Sequence, residues 1–200
     1  MRRCGNCSTF GAHRDRLLNE AVARLFFRKV LALAEWQGLV SDEHFSVDGK
    51  LGHALMENRN GLAVDVETTH ASGTAEREAA KTMMIRSIRK NKATLGADKG
   101  YDMHGFVQAA RDRGVTPHVA KKAKGSAIDG RTTRHPGYKT SLIIRSKRIE
   151  EIFGWAKTVG GLRKVRFTGL SKVRAQTTFT FAAYNLTRMA AILGWRWSTA

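Results

Sequence analysis

The sequence predicts an α/β fold in which a mixed β-sheet is flanked by helices. A strand pattern around Val47 is followed by the hairpin signal Asn60-Gly61, and helix and strand patterns then alternate as far as residue 119. A chain of 200 residues suits one domain. An antiparallel hairpin followed by alternating helices and strands is typical of a sheet that is antiparallel on one side and parallel on the other.

Hydrophobic spacing and helix-ending residues define the elements. Apolar residues recur at three- and four-residue steps from Asp15 to Gln37, and Gly38 ends this helix, so residues 14–44 are predicted to be an N-terminal helical segment. Residues 1–13 are predicted to be a disordered tail. The remaining predictions are strands over 45–49, 53–56, 62–69, 93–97 and 115–119, helices over 75–90, 103–113, 141–158 and 171–193, and a basic loop over 121–140. Asn185 lies among apolar residues of the last helix and needs a hydrogen-bond partner there.

The charge of the chain predicts a polyanionic partner. Thirty-five Lys and Arg against 17 Asp and Glu give a formal net charge of +18, and the pI is near 10.7. A chain this basic attracts nucleic acid. The alternatives are a structural basic protein that binds RNA and a protein on a membrane surface. No apolar stretch approaches the roughly 20 residues that span a bilayer, and two cysteines without an export signal predict a cytoplasmic protein.

Three carboxylates from separate segments are candidates for one divalent-metal site. Asp48 and Asp98 each follow a predicted strand, where α/β folds usually place their chemistry. Glu150 lies on a predicted basic helix, and Lys157 is close to two turns further along the same face. Oxygen ligands of this kind select Mg²⁺ or Mn²⁺ and support phosphoryl transfer.

Each of these residues also has an ordinary structural interpretation. Strand-end aspartates often cap turns, and Glu150 with Lys157 can form a solvated helix face. Three further carboxylates are weaker candidates for the site: Asp65 lies within a strand, Asp102 precedes a helix that it can cap, and Glu151 points about 100° away from its neighbour.

Three motifs together resemble the bacterial insertion-sequence transposases of the DDE type. They are FSVDG, LGADKGYD and RIEEIFGWAKTVGGLRKVRFTGL, and the resemblance extends over residues 14–193. It is greatest for the subgroup whose third motif contains Tyr, Arg, Glu and Lys at fixed spacing. The resemblance implies an RNase H-like catalytic domain over residues 45–200 that cleaves and transfers DNA strands at insertion-sequence ends with Mg²⁺ or Mn²⁺. Asp48, Asp98 and Glu150 match the catalytic, metal-binding positions of that family, and Lys157 matches its phosphate-contacting lysine.

Basic residues around the third motif are the predicted DNA contacts. They lie on the helix that carries Glu150 and on the segment after it, and a plain solvated face is the alternative. The resemblance implies double-stranded DNA, both transposon ends and target, as the partner, a homodimer as the working assembly, and a nucleoid-associated location in the bacterial cytoplasm. The predicted contacts are Lys147, Arg148, Lys157, Arg163, Lys164, Arg166, Lys172 and Arg174.

The chain also departs from the family pattern. Lys50 and Leu51 follow the first aspartate-glycine pair where the family has a threonine and a long polar segment, so an internal deletion near residues 49–52 is predicted. The family's N-terminal region is not recognisable. Ser146 stands where the family has an arginine, and Arg145 or Lys147 is the candidate substitute. A catalytically inactive remnant that only binds DNA is therefore the alternative function.

Overall fold

The computed structural model describes residues 18–49, 52–164 and 167–195. Five strands and six α-helices follow one another along these ranges. The strands are β1 (His44–Gly49), β2 (Gly52–Glu57), β3 (Ala63–Thr68), β4 (Thr94–Ala97) and β5 (Thr116–Val119). The helices are α1 (Glu20–Trp36), α2 (Ala75–Ser87), α3 (His104–Asp112), the short α4 (Gly130–Thr133), α5 (Tyr138–Thr158) and α6 (Leu170–Leu193), and a 3₁₀ turn spans Lys99–Tyr101.

The five strands form one mixed sheet in the order β3-β2-β1-β4-β5. β1 pairs antiparallel with β2, and β2 with β3, whereas β4 lies parallel to β1 and β5 parallel to β4. This arrangement confirms the predicted RNase H-like mixed sheet flanked by helices. It also places the carboxyl ends of the parallel strands β1 and β4 side by side at one edge.

The helices cover both faces of the sheet. On one face α2 and α3 pack against a buried cluster that includes Phe45, Val47 and Leu95. On the other face α1, α5 and α6 share a second cluster that includes Met56 and Phe181. Burial of this apolar surface on two sides is the main source of stability in such a layered fold. Within the described ranges, no helix combines the length and the apolarity that crossing a bilayer requires.

A glycine lets α5 approach the sheet closely. α5 packs over β1, β4 and β5. A Cβ atom at Gly96 on β4 would lie 3.1 Å from the Cβ atom of Arg145 and 3.3 Å from Ser141 Oγ, so a larger residue would push α5 outward. Gly96 therefore fixes the height at which α5 carries its side chains over the strand ends.

Several element boundaries differ from the sequence prediction. α1 begins at Glu20, because the Asn19 side chain caps it by accepting from the Ala21 N–H. α5 begins at Tyr138, three residues before the predicted start. The predicted loop contains α4, whose first turn is capped by the Asp129 carboxylate. Side-chain caps from Asn19 and Asp129 mark the starts of α1 and α4, and hydrophobic periodicity does not register them.

Several sequence predictions fall outside the described residues. The tail 1–13 lies there, as do Lys50 and Leu51 at the predicted deletion. On either side of that pair, Gly49 faces His53 across the antiparallel β1–β2 pairing. α1 packs against α6, and the division of the chain into segments 14–44 and 45–200 stays a prediction.

Candidate active site

Asp48, Asp98 and Glu150 line one open cavity of about 740 Å³. Asp48 comes from β1, Asp98 directly follows β4, and Glu150 projects from the middle of α5. Lys157 lines the same cavity. Residues that are 50 or more positions apart in the sequence thus meet because two parallel strands end side by side beneath one helix.

Asp98 and Glu150 hold local hydrogen bonds. Asp98 Oδ1 accepts from the Gly100 N–H at 2.7 Å and so caps the 3₁₀ turn. The capping role that the sequence offered as the structural interpretation is therefore real, and it coexists with a place in the cavity. Glu150 is exposed, and its Oε1 accepts from the Ser146 hydroxyl at 3.1 Å.

Asp48 is engaged on both carboxylate oxygens. Oδ1 accepts from the Gly49 N–H at 2.8 Å, and Oδ2 forms an ion pair with the Arg145 guanidinium. The Asp48 side chain is 26% exposed and the Arg145 side chain 15%. Arg145, one of two candidates for the missing family arginine, thus reaches the first of the three predicted site carboxylates directly.

The three carboxylates of the cavity are suitable ligands for a hard divalent cation, but their side chains lie too far apart to bind one together. Three carboxylates around one cavity supply the oxygen ligands that Mg²⁺ and Mn²⁺ prefer. Across the described ranges, however, no three His, Cys, Asp or Glu side chains lie close enough together to hold a metal ion. Assembly of a metal centre therefore requires side-chain movement, and Asp48 has to exchange its arginine partner.

Glu76 is a fourth carboxylate of the cavity that sequence reasoning missed. It lies in the first turn of α2. Tyr101 is buried near these carboxylates. Its burial is the main reason that the pKa of its hydroxyl is raised, and the negative charges of Asp48, Glu76 and Asp98 raise this pKa further. An acidic residue at a helix start is explained by the helix dipole, so the sequence held no signal that would single out Glu76.

Comparison with known proteins decides the family. The family described as "Transposase DDE domain" matches residues 34–186, from the end of α1 to the second half of α6. The chain belongs to the transposase DDE domain family. No curated protein is significantly similar to it. Among solved structures, the catalytic core domain of BIV integrase aligns with a TM-score of 0.43 and 9% identity, over 78% of this chain and 100% of that one.

Four of the predicted DNA-contacting residues of this DDE domain are exposed, and a fifth, Lys157, is exposed at the cavity itself. Lys147 lies on α5, Arg163 and Lys164 follow that helix, and Lys172 is in the first turn of α6. Arg166 lies outside the described residues. The described members of this set are spread from the middle of α5 to the start of α6.

Two other predicted contacts, Arg148 and Arg174, are partly buried and donate hydrogen bonds to backbone carbonyl groups. The Arg148 guanidinium donates to the backbone carbonyls of Asn58 and Arg59 at 3.0 and 2.8 Å, and it also pairs with Glu151. Arg174 Nε donates to the Thr68 carbonyl at 2.9 Å. These hydrogen bonds join α5 and α6 to the β2–β3 turn and to the end of β3, so both side chains are occupied within the DDE domain.

The competing carboxylates have structural partners in the DDE domain. Asp65 forms two 2.7 Å hydrogen bonds with Arg86 and a third with Ser87. Asp102 is fully buried and accepts from the backbone N–H groups of Lys122 and Ala127, both at 2.8 Å, so it anchors the loop after β5. Neither residue lines the cavity.

Proposed function

We propose that this chain binds double-stranded DNA and carries out metal-dependent strand cleavage and transfer at insertion-sequence ends, as a member of the Tyr-Arg-Glu-Lys subgroup. The observation that carries the proposal is the meeting of Asp48, Asp98 and Glu150 at one cavity. Membership in the transposase DDE domain family supports the same reading.

The residues of the cavity have distinct proposed roles. Asp48, Asp98 and Glu150 would hold Mg²⁺ or Mn²⁺ through their carboxylates. A bound pair of such ions activates the attacking oxygen and stabilises the leaving oxygen in phosphoryl transfer. Lys157 lines the same cavity as Glu150, and its ammonium group would bind the phosphate beside the cleaved bond.

Exposed cations around the cavity are the proposed DNA surface. Lys147, Arg163, Lys164 and Lys172 are exposed on and after α5. Each lysine or arginine that contacts a phosphate releases counterions, so binding would weaken steeply with salt. Arg166, which lies outside the described residues, stays a proposed DNA contact on the basis of the sequence. We also propose a homodimer on the two transposon ends and a nucleoid-associated place in the bacterial cytoplasm.

A DNA-binding remnant without catalytic activity is the second candidate. Two observations favour it: the Asp48–Arg145 ion pair, and the serine at position 146 where the family has an arginine. In this case the exposed cations still bind DNA, while the carboxylates never gather metal.

A nicking assay separates these candidates. Supercoiled plasmid is incubated with the protein and Mg²⁺ or Mn²⁺, and the same reaction is run with Asp98→Asn and with Asp112→Asn. Asp112 is an exposed carboxylate on α3 that accepts from Gln108 at 2.6 Å and does not line the cavity. Nicking by the wild type and by Asp112→Asn, with loss in Asp98→Asn and in EDTA, supports the proposal.

The other results are equally informative. Equal nicking by Asp98→Asn shows that the site is wrongly assigned. Salt-dependent duplex binding without nicking in any variant supports the inactive remnant. Preference for structured RNA over duplex DNA of the same length supports the structural RNA-binding alternative.

A further inference from the structure

We infer that Arg145 blocks the proposed metal site by holding Asp48 in an autoinhibitory ion pair, which a divalent cation must displace before the three carboxylates can assemble. The inference deepens the proposed function, because it concerns the same cavity and rests on the metal dependence proposed for it. It explains why the carboxylates line one cavity and yet form no metal cluster among the described residues.

The close approach of α5 to the sheet creates the ion pair. Arg145 stands on the side of α5 that contacts β4, with its Cβ atom only 3.1 Å from the position that a Cβ atom on Gly96 would take. Gly96 faces Ser46 on the neighbouring parallel strand, and Asp48 projects two residues further along that strand to the same face. The guanidinium therefore reaches Asp48 directly.

The ion pair competes with a cation for the same oxygens. Oδ2 is paired with Arg145, and Oδ1 accepts from the Gly49 N–H. A divalent ion cannot bind Asp48 through Oδ2 until the guanidinium leaves. Because the two side chains are 15% and 26% exposed, solvent screens their attraction only in part, and the arginine is an effective competitor.

One nitrogen of the Arg145 guanidinium lacks a hydrogen-bond partner among the described residues, and this makes the ion pair easier to displace. Arg145 Nε is buried and, within the part of the chain that the structure describes, has no hydrogen-bond partner. The neighbouring Ser141 Oγ is also buried and has no hydrogen-bond partner among the described residues. A buried donor without an acceptor costs free energy, so the ion pair is opposed by an unsatisfied group and can exchange with a doubly charged competitor.

Metal binding without DNA tests the inference. Mn²⁺ titrations followed by the electron paramagnetic resonance signal of free Mn²⁺, or by calorimetry, would compare the wild type, Arg145→Gln, Arg145→Lys and Lys139→Gln. Lys139 is an exposed cation on the first turn of α5, so this control removes the same charge from the same helix. Circular dichroism establishes that each variant is folded.

We expect Arg145→Gln to bind Mn²⁺ about tenfold more tightly than the wild type, since an opposite charge beside a carboxylate typically shifts its proton affinity by one to three orders of magnitude. Arg145→Lys should fall between them, and Lys139→Gln should match the wild type. Adding Asp48→Asn to Arg145→Gln should remove the gain. If Arg145→Gln does not fold, the Arg145→Lys comparison still decides, because a lysine loses the planar contact and must raise the affinity.

The failures of the two proposals are distinguishable. If the arginine variants and the wild type bind Mn²⁺ equally well and Asp98→Asn binds it weakly, the block by Arg145 is overturned and the metal-dependent function stands. If no variant binds Mn²⁺ at millimolar concentration, both the block and the metal-dependent function are overturned.

Discussion

Asn185 on α6 satisfies both backbone groups of Ala63 on the edge strand β3. Its side-chain oxygen accepts from the Ala63 N–H, and its amide nitrogen donates to the Ala63 carbonyl, both at 2.8 Å. A polar residue among apolar neighbours needs a hydrogen-bond partner, and this expectation from the sequence is confirmed. The amide extends the hydrogen bonding of the sheet by one step, so β3 ends its pairing against α6 instead of exposing an open edge.

Asn185→Ala should lower the free energy of unfolding by about 2–5 kcal/mol, because it leaves a buried N–H and a buried carbonyl without partners. Urea denaturation followed by circular dichroism measures the change. Thr187→Ala, two residues further on α6, removes only an exposed hydroxyl that donates to the Ala183 carbonyl. It should change stability by less than about 0.5 kcal/mol. Similar stability of the two variants would contradict the role given to Asn185.

Arg148 and Lys147 are neighbours on α5, but we expect loss of Arg148 to reduce stability and loss of Lys147 to reduce DNA binding. Arg148→Met keeps the apolar stem but removes the donors to the β2–β3 turn, and it should lower the free energy of unfolding by about 2–3 kcal/mol. DNA affinity per folded molecule should not change. Lys147→Met should leave stability within about 0.5 kcal/mol and weaken DNA binding. Chemical denaturation and fluorescence anisotropy measure the two quantities. If Arg148→Met instead weakened DNA binding and left stability unchanged, Arg148 would be a DNA contact after all.

The positions of the carboxylates could be predicted because they depend on local patterns. Asp48 and Asp98 follow short apolar strands, and parallel neighbouring strands end at the same edge of a sheet. Glu150 and Lys157 share a helix face by simple periodicity. These local patterns marked the three residues as candidates, and the family resemblance matched them to its catalytic positions.

The side-chain pairs that govern the site could not be predicted in the same way. Arg145 reaches Asp48 only because Gly96 lets α5 lie close to β4, and no periodicity reports that distance. Arg148 resembles any exposed helix cation in the sequence, yet its partners are carbonyls 89 and 90 residues away. Such contacts depend on packing between elements, which the one-dimensional pattern does not contain.

His118 should make the fold sensitive to acid. It is buried on β5, and burial, followed by the nearby His135 and His44, lowers its pKa from 6.5 to about 4. A depressed folded-state pKa means that the stability contribution is present above pH 6.5 and is lost as the pH falls toward 4. The expected loss is about 3 kcal/mol by pH 4.

His118→Phe should reduce this acid sensitivity. Within the described ranges neither ring nitrogen of His118 has a hydrogen-bond partner, so a phenyl ring sacrifices no bond and keeps the contacts with His135 and Tyr138. Unfolding free energies at pH 7, 5.5 and 4 measure the effect. The control His104→Gln, at an exposed position, should follow the wild-type profile. An unchanged pH profile in His118→Phe would contradict the assignment.

Lys157 should contribute one phosphate contact to DNA binding. It is exposed and lines the cavity with Glu150, so its loss removes one counterion-releasing contact without disturbing the core. For Lys157→Gln, the slope of log K against log salt for a duplex with an insertion-sequence end should become shallower by about one. Affinity should fall severalfold at low salt. Fluorescence anisotropy from about 50 to about 300 mM NaCl, a roughly sixfold range, provides both values. The control Lys139→Gln removes the same charge from the far end of α5. Equal slopes in Lys157→Gln and Lys139→Gln would mean that Lys157 acts only through the net charge of the protein and not at the proposed site of phosphoryl transfer.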